Sequence, residues 1–336
     1  MIRVAINGFG RIGRIAFREM ITGRDFDIVA VNDLSNAEEL AYLLKYDTNH
    51  RSFHEDEISF DNDNIVIAGK KRVKVLSEAD PSKLPWGDLN IDVVLECSGR
   101  FTKYEDAYKH ITAGARHVVI SAPGKGDMKT IVYGVNDSIL DGSEEVISAA
   151  SCTTNCLAPV LNVIEKNIGI RKGYMSTVHA YTNDQATLDI HHSKGIMARR
   201  GRACAQNIVP ASTGAASAIG KVIPSLLGKM DGMAFRVPVS CGSVVDLTLE
   251  LEKDVSKEEL NDLLRNNQSE ALKVCEDPIV SSDVLGKKCG ALVDLLSTNV
   301  LETEAGNLVK VVAWYDNEMG YTAQMLRTAK ALIKEK

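Results

Sequence analysis

Residues 2–13 read Ile-Arg-Val-Ala-Ile-Asn-Gly-Phe-Gly-Arg-Ile-Gly, and the fold of the first half follows from them. Ile2 to Ile6 is a short apolar run with the character of a strand buried on both faces. Gly8, Gly10 and Gly13 then fit G-x-G-x-x-G, and Arg11 to Ile21 continues with helical spacing. The motif alone is weak. Placed between a strand and a helix it describes a phosphate cradle. Gly8 permits the tight turn, Gly10 lets backbone approach a pyrophosphate, and Gly13 lets helix and strand pack closely. The helix start, with Asn7 ahead of it and Arg11 and Ile12 in its first turn, offers N–H groups and partial positive charge to the phosphates. Asp33 stands twenty residues beyond Gly13, at the end of the next apolar run. A carboxylate there accepts from a ribose diol and repels a 2′-phosphate, so the expected cofactor is NAD.

Outward from this stretch, Ile28 to Val31, Val93 to Glu96, His117 to Ser121 and Ile131 to Gly134 read as further strands. Ala37 to Leu44 and Tyr104 to Ala113 read as helices. The alternation predicts a doubly wound α/β domain with a parallel sheet. After Ala150 the pattern changes. A helix is expected from Cys152 to about Asn167. Strands are expected over Tyr174 to Ala180, Met233 to Val239, Val244 to Leu251, Ala291 to Asp294 and Leu308 to Tyr315. Their clearer alternation suits an α+β domain with a mixed, largely antiparallel sheet. Val255 to Asn266 looks like a capped surface helix, and Thr322 to Lys334 like a terminal one. The expected division is a dinucleotide domain at 1–151, completed by 317–336, and a second domain at 152–316.

Composition narrows the function classes. The chain has 336 residues, too many for one ordinary core. A net charge of -6 argues against a general nucleic-acid binder. No apolar run approaches the ~20 residues needed to cross a bilayer. Seven cysteines without a CxxC pair, and an N-terminus lacking secretion-signal character, suit reduced thiols in the cytoplasm.

The second informative stretch is Ser148 to Cys156. Ser151 is a good N-cap, so Cys152 falls in the first turn of a helix. There the helix field favours thiolate, and nearby N–H groups can hold an oxyanion. From this segment alone, a nucleophile and a buried structural cysteine are equal readings. Cys156, one turn on, is a packed thiol or a resolving partner. The pair is not a zinc site without further ligands, and no metal is expected. Among seven histidines, only His179 ends an apolar strand beside a polar turn, Tyr181-Thr182-Asn183-Asp184, where an imidazole base could be delivered.

These segments resemble phosphorylating glyceraldehyde-3-phosphate dehydrogenases along the whole chain. The resemblance rests on INGFGRIGR (6–14), SAASCTTNCLAP (148–159), TVHAYTNDQ (177–185), PASTGAA (210–216), GMAFRVP (232–238) and WYDNEMGY (314–321). It implies that Cys152 attacks the aldehyde to form a hemithioacetal, that His179 holds the thiolate and takes the hydroxyl proton, and that inorganic phosphate cleaves the resulting thioester. It implies Thr182 and Arg236 at the substrate phosphate. Ser151, Thr153, Thr213 and Gly214, with Arg200, would hold the attacking phosphate. At the cofactor it implies Arg11 and Ile12 beside the pyrophosphate, Asp33 at the adenine ribose, Ser98, Phe101 and Ser121 along the path, and Asn317 at the nicotinamide. The family is tetrameric, so a homotetramer is implied too. Ala79, the stretch Ser98-Gly99-Arg100, His191 and Ser217 depart from the usual family residues. The alternative within reach is a related erythrose-4-phosphate dehydrogenase, which hydrolyses its thioester. The intact Ser212-Thr213-Gly214 beside Ser151 and Thr153 favours phosphate as acceptor.

Overall fold

The computed structural model describes residues 1–304 and 306–333. Contacts divide the chain into two compact units. One comprises Met1–Ile131, Asp137–Ala150 and the chain from Met325 on. The other comprises Val132–Asn136 and Ser151–Gln324.

In the first unit, β1 (Ile2–Asn7), α1 (Arg11–Thr22), β2 (Phe26–Asn32) and α2 (Ala37–Lys45) lead into β3 (Ile58–Asp61), β4 (Asn64–Ile67) and β5 (Lys71–Leu76). Then come β6 (Val93–Glu96), α3 (Tyr104–Ala107), α4 (Lys109–Thr112), β7 (His117–Ile120) and β8 (Val146–Ser148). The sheet order is β3-β4-β5-β2-β1-β6-β7-β8. From β5 to β8 every neighbour is parallel, and β3 and β4 add an antiparallel edge. Burial alternates between faces. Val4, Ile6 and Leu95 join one core cluster with Phe17 and Met20 of α1 and Leu40 and Leu44 of α2. Ala5 and Val94 join another with Trp86 and Ala107. Covering both faces is what made these strands nearly continuous apolar runs. Between β2 and β6 the winding reverses at β1. Ligands of open α/β sheets bind at such a switch point, beyond the strands' carboxyl ends.

The second unit holds α5 (Cys152–Asn167), β9 (Ile170–Ala180), β10 (Val209–Ser212), α6 (Ala215–Val222), β11 (Met230–Val237), β12 (Ser243–Leu251), α7 (Lys257–Asn266), β13 (Leu272–Cys275), β14 (Ala291–Asp294), β15 (Asn299–Leu301) and β16 (Leu308–Tyr315). Its sheet runs β10-β11-β9-β12-β16-β14-β13, with β15 also on β16. The β11/β9 and β13/β14 pairs are parallel and the others antiparallel. Helix α7 opens on Ser256 with a reciprocal Ser256–Glu259 capping box.

The terminal helix α8 (Met319–Leu332) starts where Asp316 accepts from the Glu318 and Met319 N–H groups, each at 2.8 Å. Met325, Ala329 and Leu332 sit in the first unit's core. The expected last helical residue, Lys334, and residues 335 and 336 of the expected first domain lie outside the described residues.

Two local expectations are corrected. Ile131 to Gly134 is not a strand. After an isolated bridge at Thr130 the chain turns, because the Asn136 side chain accepts from Val132 N (2.8 Å) and Gly134 adopts φ +79°. Tyr133 then bonds Glu270 and accepts from Gln324, which ties 132–136 to the second unit. Tyr104 to Ala113 is two short helices meeting at Tyr108 rather than one. No helix among the described residues is long and apolar enough to cross a membrane.

Candidate active site

The thiol and the imidazole meet. Cys152 is the first residue of α5, and His179 is the next-to-last of β9. Their Sγ and Nε2 atoms lie 3.4 Å apart. Ala150 carries the chain out of β8 at φ +60°, a left-handed conformation uncommon for a residue with a side chain. Ser151 then caps α5, its Oγ accepting from Thr154 N at 3.1 Å.

Strand pairing assembles the rest. The parallel register sets Arg236 of β11 opposite His179 of β9. Arg236 Nη1 lies 2.8 Å from His179 Nδ1, 2.9 Å from the Ala180 carbonyl and 3.2 Å from Thr182 Oγ1. Arg236 Nε is buried with no partner, a donor left for an incoming acceptor. Thr182 and Arg200 both bond Asp184, one to each carboxylate oxygen. Six side chains from one end of this sheet, its following loop and α5 therefore form one linked group, and five of them were named from the sequence.

The electrostatics differ from the expectation at Cys152. Burial pushes its thiol up, and this outweighs the opposing pull of Arg236, Thr153 and the helix N–H groups. Burial, then Arg236, push His179 down to about 3. The helix field is present but does not win. At neutral pH these shifts favour a thiol beside a neutral imidazole over a preformed thiolate. Cys156 is fully buried, its Sγ 3.7 Å from the Ala313 carbonyl, with its thiol raised by burial.

Thr153 points its hydroxyl to Tyr315, at 3.0 Å, and Tyr315 bonds Thr177 at 2.9 Å. Tyr315 also sets its ring edge-on to His179, at 5.9 Å between centroids. The sequence reading missed it. The signal was available: strand alternation turns Tyr315 to the same side as the buried Val311 and Ala313. Thr213 and Gly214 lie at the start of α6, with local bonds only: Thr213 Oγ1 accepts from Ala215 N, and Gly214 O from Ser217 Oγ. Asn317 Oδ1 accepts from Gly242 N at 3.1 Å and Ser243 Oγ at 2.9 Å, which fixes the way its amide faces.

The first unit carries a cavity of about 290 Å³ at the switch point. Asn7, Gly8, Gly10, Asp33, Ser98 and Phe101, all expected at a cofactor, line it, together with the unforeseen Leu34, Glu78 and Cys97 and the departing residues Ala79 and Arg100. Its glycines fit a dinucleotide. A Cβ on Gly8 would lie 2.5 Å from the Ser98 backbone, and one on Gly13 2.2 Å from the Gly8 carbonyl. At Gly10 a Cβ would meet nothing within 4 Å, so this backbone faces open space where a pyrophosphate can approach. Asp33 accepts from Phe9 N (2.7 Å) and Ser35 N (3.2 Å) and keeps lone pairs for a diol.

Two expected contacts look elsewhere. The Arg11 guanidinium is held by Asp47, so its side chain is committed. Ser121 bonds the Cys97 thiol and is not among the cavity's lining residues. Beneath the cavity runs a buried chain that the sequence did not reveal. Trp86 Nε1 donates to His110 Nδ1 (2.9 Å), His110 Nε2 meets Glu96 (3.1 Å), and Glu96 accepts from Asn7 (2.5 Å) and the Ser98 N–H (2.8 Å). The Trp86 bond makes Nδ1 the acceptor, so Nε2 carries the ring proton toward Glu96. Nothing in the local pattern around His110 distinguishes it from a surface helix residue.

Comparisons with known proteins give the family. The family model described as the glyceraldehyde 3-phosphate dehydrogenase NAD binding domain matches residues 2–104, and that of the C-terminal domain matches 151–317. Curated proteins called glyceraldehyde-3-phosphate dehydrogenase are similar over 99% of both chains. They include those of Clostridium acetobutylicum at 54% identity, Clostridium pasteurianum at 53% and Streptococcus pyogenes at 49%. With identity of this order over almost the whole chain, the resemblance read from the motifs becomes a finding, and the chain belongs to the glyceraldehyde-3-phosphate dehydrogenase family.

Proposed function

We propose that this protein is an NAD-dependent phosphorylating dehydrogenase. It converts D-glyceraldehyde 3-phosphate and inorganic phosphate to 1,3-bisphosphoglycerate through a thioester on Cys152, as a step of glycolysis. The observation that carries the reading is the 3.4 Å approach of Cys152 Sγ to His179 Nε2 at the head of α5.

One hydrogen-bonded state of His179 supports the chemistry. With its proton on Nδ1, donated to the Ala180 carbonyl at 2.7 Å, Nε2 is a base for the Cys152 proton. Cys152 then attacks the aldehyde carbon as its proton passes to Nε2, that N–H gives the proton to the hemithioacetal oxyanion, and the freed Nε2 takes the hydroxyl proton back as the hemithioacetal is oxidised. Asp33 and the glycine backbone would hold NAD, which would supply the hydride acceptor, and Asn317 is the residue the family resemblance assigns to its nicotinamide. Thr182 and Arg236 hold the substrate phosphate. Ser151, Thr153, Thr213, Gly214 and Arg200 hold the phosphate that cleaves the thioester. The enzyme works in the cytoplasm as a homotetramer.

NADH formation from glyceraldehyde 3-phosphate with and without phosphate tests this. The reading expects turnover that requires phosphate and disappears in Cys152→Ser while NAD binding persists. Full rate without phosphate would instead assign a hydrolytic enzyme of the erythrose-4-phosphate type.

A further inference from the structure

The hydroxyl of Thr182 has one proton, and in the structure that proton goes to Asp184 Oδ1. Its lone pairs face Arg236 Nη1 at 3.2 Å. The other Asp184 oxygen binds Arg200 Nη1. Arg200 is largely buried, its side chain 14% exposed, so this pair is shielded from solvent on the arginine side. One carboxylate thus engages a donor assigned above to the substrate phosphate and a donor assigned to the attacking phosphate. A second contact fixes the loop itself, His192 Nε2 bonding the Asp184 carbonyl at 2.9 Å. Burial alone would raise the Asp184 carboxyl. The Thr182 hydroxyl, then Arg200, Arg236 and Lys194, hold it below the usual carboxylate range, so it remains an anion throughout neutral pH.

We propose that Asp184 is a specificity-determining residue whose carboxylate competes with phosphate oxyanions for the Thr182 proton and the Arg200 guanidinium. An oxyanion reaches Thr182 as a hydrogen-bond acceptor only after the hydroxyl turns its proton away from Asp184. A phosphate dianion offers more charge and three acceptor oxygens and can win that exchange. An unphosphorylated aldehyde has nothing with which to displace the carboxylate, and a weaker acceptor such as a carboxylate only equals it. Asp184 therefore weakens the binding of every anion, and weakens carboxylates more than phosphate dianions. In the sense of specificity as a difference of affinities, it is the repulsive element beside the attractive arginines.

The inference rests on the phosphate-site reading above, and its test separates the two. Asp184→Asn removes the charge at constant shape. The expected result is a KM for glyceraldehyde 3-phosphate about 3- to 10-fold lower, with a smaller change in kcat/KM for unphosphorylated glyceraldehyde. Binding of inorganic phosphate, followed by its 31P line width without turnover, should tighten in parallel. An unchanged or higher KM for the phosphorylated substrate, or equal shifts for both aldehydes, would overturn the competition and make Asp184 a support for Arg200. If the Asn variant does not fold, Asp184→Ser is measured in the same way, with the same two outcomes. Failure of the phosphate-site reading shows itself differently: wild-type turnover would then not depend on phosphate, and the 31P signal would be insensitive to Thr182→Val.

Discussion

Arg236 Nη1 and His179 Nδ1 are 2.8 Å apart, on the side of the imidazole away from Cys152. The same Nδ1 lies 2.7 Å from the Ala180 carbonyl, so a donor and an acceptor compete for one ring nitrogen. When Arg236 donates, Nε2 keeps the ring proton and faces sulfur as a donor. When Nδ1 donates to Ala180, Nε2 is free to act as the base. An oxyanion that draws Arg236 away thus favours the tautomer that accepts the thiol proton. In the proposed reaction, substrate binding and base activation would be linked through this guanidinium.

The first prediction concerns the titration of His179. Burial is the main cause of its low value of about 3, and the Arg236 charge is the second. Arg236→Leu should raise it by about one unit. Imidazole 15N shifts followed from pH 2 to 8 would show this. A wild-type His179 titrating near its ordinary value of about 6.5 would refute the assignment. The same variant should lose about 100-fold in kcat/KM for the phosphorylated substrate, since a phosphate contact goes with it.

Gly8 and Gly10 should respond differently to the same added methyl. Gly8→Ala places a Cβ 2.5 Å from Ser98 backbone at φ +92°, and the first unit should be destabilised by several kcal/mol or fail to fold. Gly10→Ala meets open space, so its melting temperature should stay within a few degrees of wild type. NAD affinity should nevertheless fall at least ~10-fold, because the methyl occupies the pyrophosphate's approach. Calorimetry for NAD and thermal melts together decide it. Normal NAD binding by Gly10→Ala would place the cofactor elsewhere.

Ser151→Ala removes the cap of α5 and leaves the Thr154 N–H without its acceptor. About 1 kcal/mol of stability should go with it. The cap also sets where Cys152 begins the helix, so alkylation of the thiol by iodoacetamide should change rate by more than that small stability loss explains. Equal alkylation rates would separate the cap from the nucleophile's placement.

Asp47 gives an acid-stability prediction. Burial would raise its carboxyl, but Arg11 and the His50 N–H overcome this and hold it at about 2. A depressed carboxylate contributes stability above its unfolded value, and this is lost as pH falls through the folded one. Wild type should therefore exceed Asp47→Asn by about 1 to 2 kcal/mol from pH 5 to 7, after allowance for solvent screening. The difference should shrink between about pH 4 and 2. Urea titrations at four pH values check it, and a gap that persists at pH 2 would show another origin.

Short-range patterns carried much of this molecule. Cys152–Asn167, Val93–Glu96, Ala291–Asp294 and Leu308–Tyr315 fall where hydropathy and capping put them, because each is long enough, or apolar enough, for its period to dominate. The antiparallel edge β3–β5 was not seen, since Ile58 to Leu76 alternates with charged residues and turns every few positions. Ile131 to Gly134 was misread because a buried turn and a buried strand are equally apolar, and only the Asn136 side chain tells them apart.

By itself, then, the sequence determined the two fold classes and the glycine cradle, and it offered Asp33, Cys152 and His179 as candidates. These are properties of neighbours along the chain: a cap, a period, a spacing of a few residues. Tertiary structure alone decided that β9 and β11 run parallel with Arg236 opposite His179, that Asp184 engages Thr182 and Arg200, and that burial raises the Cys152 thiol against its helix. Charge and desolvation act through space. Their balance depends on which distant strands are brought side by side, and no local window of sequence contains that information.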